Sequence, residues 1–134
     1  MSAADILIDG APASADDLAH VALVNYGAFT SFRVEAGGVR GLDLHLARLE
    51  NSARELFGEA VGEARLRQFM RGAVQERGDC WLKVQLFASE VSPRTPGWTG
   101  TPRVMIAVTS PPSPLPDGLR LQSQTYAREA PHLK

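Results

Sequence analysis

One cysteine in 134 residues leaves Cys80 with no intramolecular disulfide partner, so the chain must hold together by packing, as proteins of reducing compartments do. No cluster of cysteine or histidine accompanies it. That excludes a zinc-type ligand set and leaves Cys80 to be read as a small buried hydrophobe. An excess of charge of either sign is also missing. Fourteen basic side chains face fifteen acidic ones, for a formal net charge of -1, which argues against a nucleic-acid binder held by bulk electrostatics. No apolar run approaches the roughly 20 residues of a transmembrane helix. Met1-Ser2-Ala3-Ala4-Asp5 has neither the basic start nor the apolar stretch of a secretory signal. Internal repeats and low-complexity tracts are absent as well. The expectation is a cytoplasmic protein with no nucleic-acid or membrane partner.

What is present is ordinary for a globular protein: 44% apolar and 22% charged residues in a length that suits about one domain. Ile6-Leu7-Ile8 reads as a short strand closed by Asp9-Gly10, and the following Ala-Pro-Ala-Ser as loop. From Ala28 to Glu35 the residues alternate. Ala28, Thr30, Phe32 and Val34 point to one face and Phe29, Ser31 and Arg33 to the other, and the mixed second face suits a site. Gly37-Gly38 offers the positive dihedrals of a tight hairpin, with Val39-Arg40-Gly41-Leu42 as the returning strand. Leu42, Leu46, Leu49, Ala53, Leu56 and Phe57 then form a helical stripe that Gly58 ends. A second helix is expected from about Glu63 to Arg77, burying Leu66, Phe69, Met70, Ala73 and Val74, with Gly78 as a left-handed cap.

Trp81–Ala88 and Val104–Thr109 read as further strands, separated by a Pro/Gly-rich excursion over 92–102 that suits a binding loop. Residues 111–118 are rich in proline, which cannot donate to a ladder and favours an extended spacer. The expected fold is α+β. A small domain of antiparallel sheet with two helices spans residues 1–110, an interdomain linker spans 111–118, and 119–134 opens a second domain with the strand Leu119–Tyr126.

Three motifs occur in a telling order: Gly27-Ala28-Phe29-Thr30-Ser31-Phe32-Arg33-Val34 before a Gly-Gly hairpin, His45-Leu46-Ala47-Arg48-Leu49, and Arg128-Glu129-Ala130-Pro131-His132-Leu133-Lys134. In this order they resemble the class IV aminotransferases, the fold-type IV pyridoxal-phosphate enzymes, over most of the chain. The resemblance implies a homodimeric enzyme whose large domain is completed by a further C-terminal segment. It also implies pyridoxal 5'-phosphate as cofactor and an amino acid and a 2-oxo acid as substrates.

Lys134 then falls where the family carries its cofactor lysine, an amine that must shed its proton to attack an aldehyde; by itself, a lysine near a chain end is solvated. Arg48 falls where the family carries an arginine that grips the phosphate, a task suited to a planar guanidinium fork. Its alternative is a solvated helix arginine paired with Glu50 or Glu55. His45 is read as bracing the helix start. Phe29, Ser31 and Arg33 share the strand face that lines the substrate side in the family. Phe29 suits a packed wall, and Arg33 suits either a substrate carboxylate or a structural brace. Lys83, Gln85 and Arg94 are weaker candidates for carboxylate recognition. Phe29-Thr30-Ser31 is closer to the lyase-like relatives that release pyruvate from aminodeoxychorismate, so transamination and elimination both stand. A domain serving only folding or dimerisation is the third reading.

Overall fold

The computed structural model describes residues 4–75 and 77–133. Five strands and three helices follow in the order β1 (Asp5–Ile8), β2 (Ala11–Pro12), α1 (Ala15–Val24), β3 (Ala28–Val34), α2 (Leu42–Phe57), α3 (Glu63–Val74), β4 (Cys80–Phe87) and β5 (Arg103–Thr109). The strands form one antiparallel sheet in the order β2-β1-β5-β4-β3. The α+β expectation holds, with α1 as a third helix.

Strand alternation explains the layering. Phe32 and Val34 of β3, Leu82, Val84 and Leu86 of β4, and Val104, Ile106 and Val108 of β5 all face one side. There they bury against Leu46, Leu49, Ala53 and Phe57 of α2 and Leu66, Met70 and Ala73 of α3. Cys80 belongs to this layer, and burial pushes its thiol pKa up, in keeping with an inert side chain. The opposite face is shared. Ile8, Phe87 and Met105 pack under Leu18 and Val21 of α1, while Phe29, Ser31, Trp81, Lys83 and Gln85 remain half-buried and Arg33 exposed.

Helix ends are set locally. Ser14 caps α1 by accepting a hydrogen bond from the Asp17 amide at 3.1 Å. Gly58, at φ 83°, donates its amide to the Arg54 carbonyl and ends α2 as expected from sequence. The buried Glu50 carboxylate accepts from the Gly62 amide at 3.1 and 3.2 Å, placing negative charge at the start of α3.

Four local expectations are corrected. The hairpin turn is Ala36-Gly37, not Gly37-Gly38, and both central residues have positive φ, 48° and 74°. It is closed by paired backbone hydrogen bonds between Glu35 and Gly38. Val39–Leu42 does not return as a strand. The three residues before Leu42 are too few to lie beside β3 when Leu42 already opens α2, and β3 pairs instead with β4 over seven positions. Gly78 is not a left-handed cap: α3 stops at Val74 and Gln75 turns extended, at φ -53° and ψ 132°. Residues 119–126, expected as the opening strand of a second domain, run exposed with no ladder partner among the described residues. A strand without a neighbour leaves its backbone groups to water.

An alanine at positive φ is strained, whereas asparagine tolerates that region and Asn-Gly is the favoured pair for such a turn. Ala36→Asn is therefore expected to raise stability by about 0.5–1 kcal/mol in urea unfolding, with the denaturant slope unchanged.

Arg103 ties α1 to the sheet. Its guanidinium donates to Asp9 Oδ2 at 3.0 Å and to both Asp17 carboxylate oxygens, and it lies 5.4 Å from the Phe87 ring centroid. Hydrogen bonds from Arg103 and, secondarily, from Ser14 hold the Asp17 carboxyl below the ordinary value of 3.8. A depressed carboxylate pKa contributes stability that is complete above the unfolded-state value and lost as pH falls through the folded one. Asp17→Asn is accordingly expected to lower stability at neutral pH and to flatten the loss below about pH 4. Denaturation midpoints at pH 7 and pH 3 measure this, with the two proteins converging at the acid end.

Candidate functional site

Because β3 lies at the sheet edge, its outward backbone is open unless a helix side chain covers it. Arg48 does so. From the second turn of α2 it reaches across and donates Nη1 to the Phe29 carbonyl at 3.1 Å. One turn earlier, His45 Nδ1 meets the buried Thr30 hydroxyl at 2.6 Å, and its ring packs on Phe32 at 4.9 Å between centroids. His45 thus fixes α2 against β3, the bracing expected of it. Between the two elements runs an open groove of about 630 Å³, lined by Phe29, Thr30, Ser31, Arg40, Gly41, Leu44, His45, Arg48 and Trp81.

The charges around this groove are one-sided. None of its lining residues is acidic, and neither Arg40 nor Arg48 makes an ion pair among the described residues. Lys83, likewise without an ion pair among the described residues, places Nζ 4.7 Å from the Phe29 ring centroid. Phe29 therefore has Arg48 on its carbonyl and Lys83 on its ring. The carboxylates that would otherwise neutralise Arg48 are engaged elsewhere: Glu50 with Gly62, and Glu55 with His132.

Of the residues singled out in the sequence, Phe29, Ser31 and Arg48 come together here. Arg33 does not join them. It sits 3.5 Å from Glu35 and 3.7 Å from Asp79, and Asp79 also accepts from the Ala36 amide, so Arg33 braces the hairpin turn. Gln85 is the cross-strand partner of Phe29, and Arg94 lies in the turn over Ser92–Thr95. Lys134 is outside the described residues. The turn that leads to it brings His132 Nε2 within 2.9 Å of Glu55 Oε1. Glu55 lies two turns beyond Arg48 on α2, about 10 Å along the axis.

Arg40 and Trp81 are lining residues that the sequence alone does not single out. Arg40 falls in the segment expected as a returning strand; the signal that places it is Gly41, whose φ of 67° turns the chain into α2 beside the groove. Among the described residues there is no group of three or more His, Cys, Asp or Glu able to hold a metal, and no helix long and apolar enough to cross a membrane.

The donor set suits a phosphate-bearing ligand. Arg48 keeps further N–H groups beyond the one on Phe29, and no lining acid opposes an anion.

No protein-family model matches the sequence, and no curated protein matches it significantly. Solved structures do match. A T.th. branched-chain amino acid aminotransferase with pyridoxamine 5'-phosphate superimposes with a TM-score of 0.63 at 19% identity, over 87% of this chain and 43% of that one. The same enzyme complexed with N-(5'-phosphopyridoxyl)-L-glutamate gives 0.60 at 19% identity, over 82% and 41%. A hypothetical aminotransferase from Mycobacterium tuberculosis, in its PLP-bound form, gives 0.53 at 20% identity, over 83% and 41%. The chain spans less than half the length of these structures, and over that length it shares the fold of the matching part of these aminotransferases.

Proposed function

We propose that this chain supplies the phosphate-gripping half of a pyridoxal 5'-phosphate-dependent aminotransferase acting on an amino acid and a 2-oxo acid. One observation carries the reading: Phe29, Ser31 and Arg48 converge on an acid-free groove, on a fold shared with aminotransferase structures.

When bound, the cofactor supplies the electron sink for chemistry at the substrate α-carbon. The chain's own residues position it. Arg48, anchored on β3 through Phe29, presents its remaining N–H groups to the phosphate in an orientation fixed before binding. Phe29, its ring beneath Lys83, walls the substrate side. Ser31, on the same strand face, offers a hydroxyl to a polar substrate group. Lys134 in this reading bonds the cofactor and then moves a proton at the substrate α-carbon, a role requiring an amine depleted of its proton by nearby cations or burial. Arg33 contributes by holding the hairpin rather than by touching substrate. A second copy of the chain is the proposed partner, supported by the exposed Leu121 and Tyr126 beyond the sheet.

The test is amino-group exchange by purified protein supplied with cofactor, read as alanine formed from pyruvate. Release of aminobenzoate from aminodeoxychorismate, with no alanine formed, would replace transamination by elimination. Failure of the protein to retain violet-edge absorbance once free cofactor has been dialysed away would leave only the folding or dimerisation role.

A further inference from the structure

A second cavity lies away from the groove, beneath the hairpin loop. It measures about 230 Å³ and is lined by Phe32, Val34 and Leu82 of the sheet, Val39 and Leu42 before and at the start of α2, and Met70 and Val74 of α3, with Arg67 and Arg71 among its lining residues. The sheet-side residues and Met70 are buried in the main core, so this is apolar space reaching inward from the surface. The two arginines differ. Arg67 is held by Asp43 at 2.6 Å and Glu63 at 2.7 Å, neither of which lines the cavity. Arg71, one turn further along α3, is exposed and makes no ion pair or hydrogen bond among the described residues. Apolar walls beside one unpaired guanidinium fit a ligand with an apolar body and a single negative charge.

We infer that this cavity binds a small branched or aryl carboxylate, its body against Val39, Met70 and Val74 and its carboxylate on Arg71. An apolar cavity of about 150 Å³ accepts benzene, so this one takes about nine non-hydrogen atoms. The inference is independent of the cofactor reading, since no residue of the cavity lines the Arg48 groove.

Titrating phenylacetate into methyl-labelled protein should give saturable shifts at Val39, Met70 and Val74, with a dissociation constant of about a millimolar. Arg71→Ala should weaken phenylacetate about fivefold or more while leaving benzyl alcohol unchanged. Val74→Phe, which fills the space, should abolish both. Three results would each overturn the site: no saturable shift at these methyls up to about 20 mM, benzylamine binding as tightly as phenylacetate, or Arg71→Ala leaving phenylacetate affinity intact. If Val74→Phe does not fold, Arg71→Ala decides alone, because it removes an exposed side chain with no partner among the described residues.

Discussion

Gly27→Ala is expected to cost about 3 kcal/mol or more and to leave little folded protein. A Cβ at this position would lie 2.0 Å from the Leu86 carbonyl oxygen, a backbone atom within the β3–β4 pairing. No side-chain rotation relieves such a clash, so the strands must separate where Ala28 and Leu86 pair, next to Phe29. The groove wall would move with them. Gly72→Ala is the matched control: it lies within α3 and nothing stands within 4 Å of its added Cβ. Removing a flexible glycine from a helix is expected to stabilise by about 0.5–1 kcal/mol. Urea unfolding of the two variants should therefore move in opposite directions, and a Gly27→Ala protein as stable as the parent would contradict the described β3–β4 approach.

Arg48→Ala is expected to weaken pyridoxal 5'-phosphate binding about 10- to 150-fold, the equivalent of about 1.5–3 kcal/mol for a hydrogen bond to a charged group. The fold should lose only about 1 kcal/mol, from the bond to the Phe29 carbonyl. Arg48→Lys restores the charge but not the fork, and should recover part of the affinity. Pyridoxal without its phosphate separates the roles, because its affinity should be the same for parent and variant. Equal losses for both compounds would make Arg48 a structural brace.

Much of this was legible because strand and helix periods are local. The alternation from Ala28 to Val34 specified which side chains are buried, and the stripe through Leu46, Leu49, Ala53 and Phe57 specified the buried face of α2. The order of the Phe29 strand and the His45–Leu49 helix was enough to bring Phe29, Ser31 and Arg48 to one groove. What was missed depends on pairings that no local window reports. The partner of β3 comes from far downstream in β4, not from the adjacent Val39–Leu42 segment. Arg33 is drawn to Asp79 by that same long-range pairing. α1 is hard to see in the sequence because its Ala, Leu and Val residues give no clean stripe and none is fully buried, although Ser14 followed three residues later by Asp17 is a capping signal. Arg40 entered the groove through the backbone turn at Gly41, which the alternation pattern did not require.

The central claim, that one lysine and Arg48 serve a single cofactor, is open to a direct chemical reading. The sequence contains just two lysines, Lys83 and Lys134. Borohydride reduction in the presence of pyridoxal 5'-phosphate fixes the cofactor to the amine that holds it, and peptide mass mapping identifies that amine. Label is expected on Lys134, reduced in Arg48→Ala at limiting cofactor. Label on Lys83 or the N-terminal amine, or labelling of Lys134 indifferent to Arg48, would contradict it.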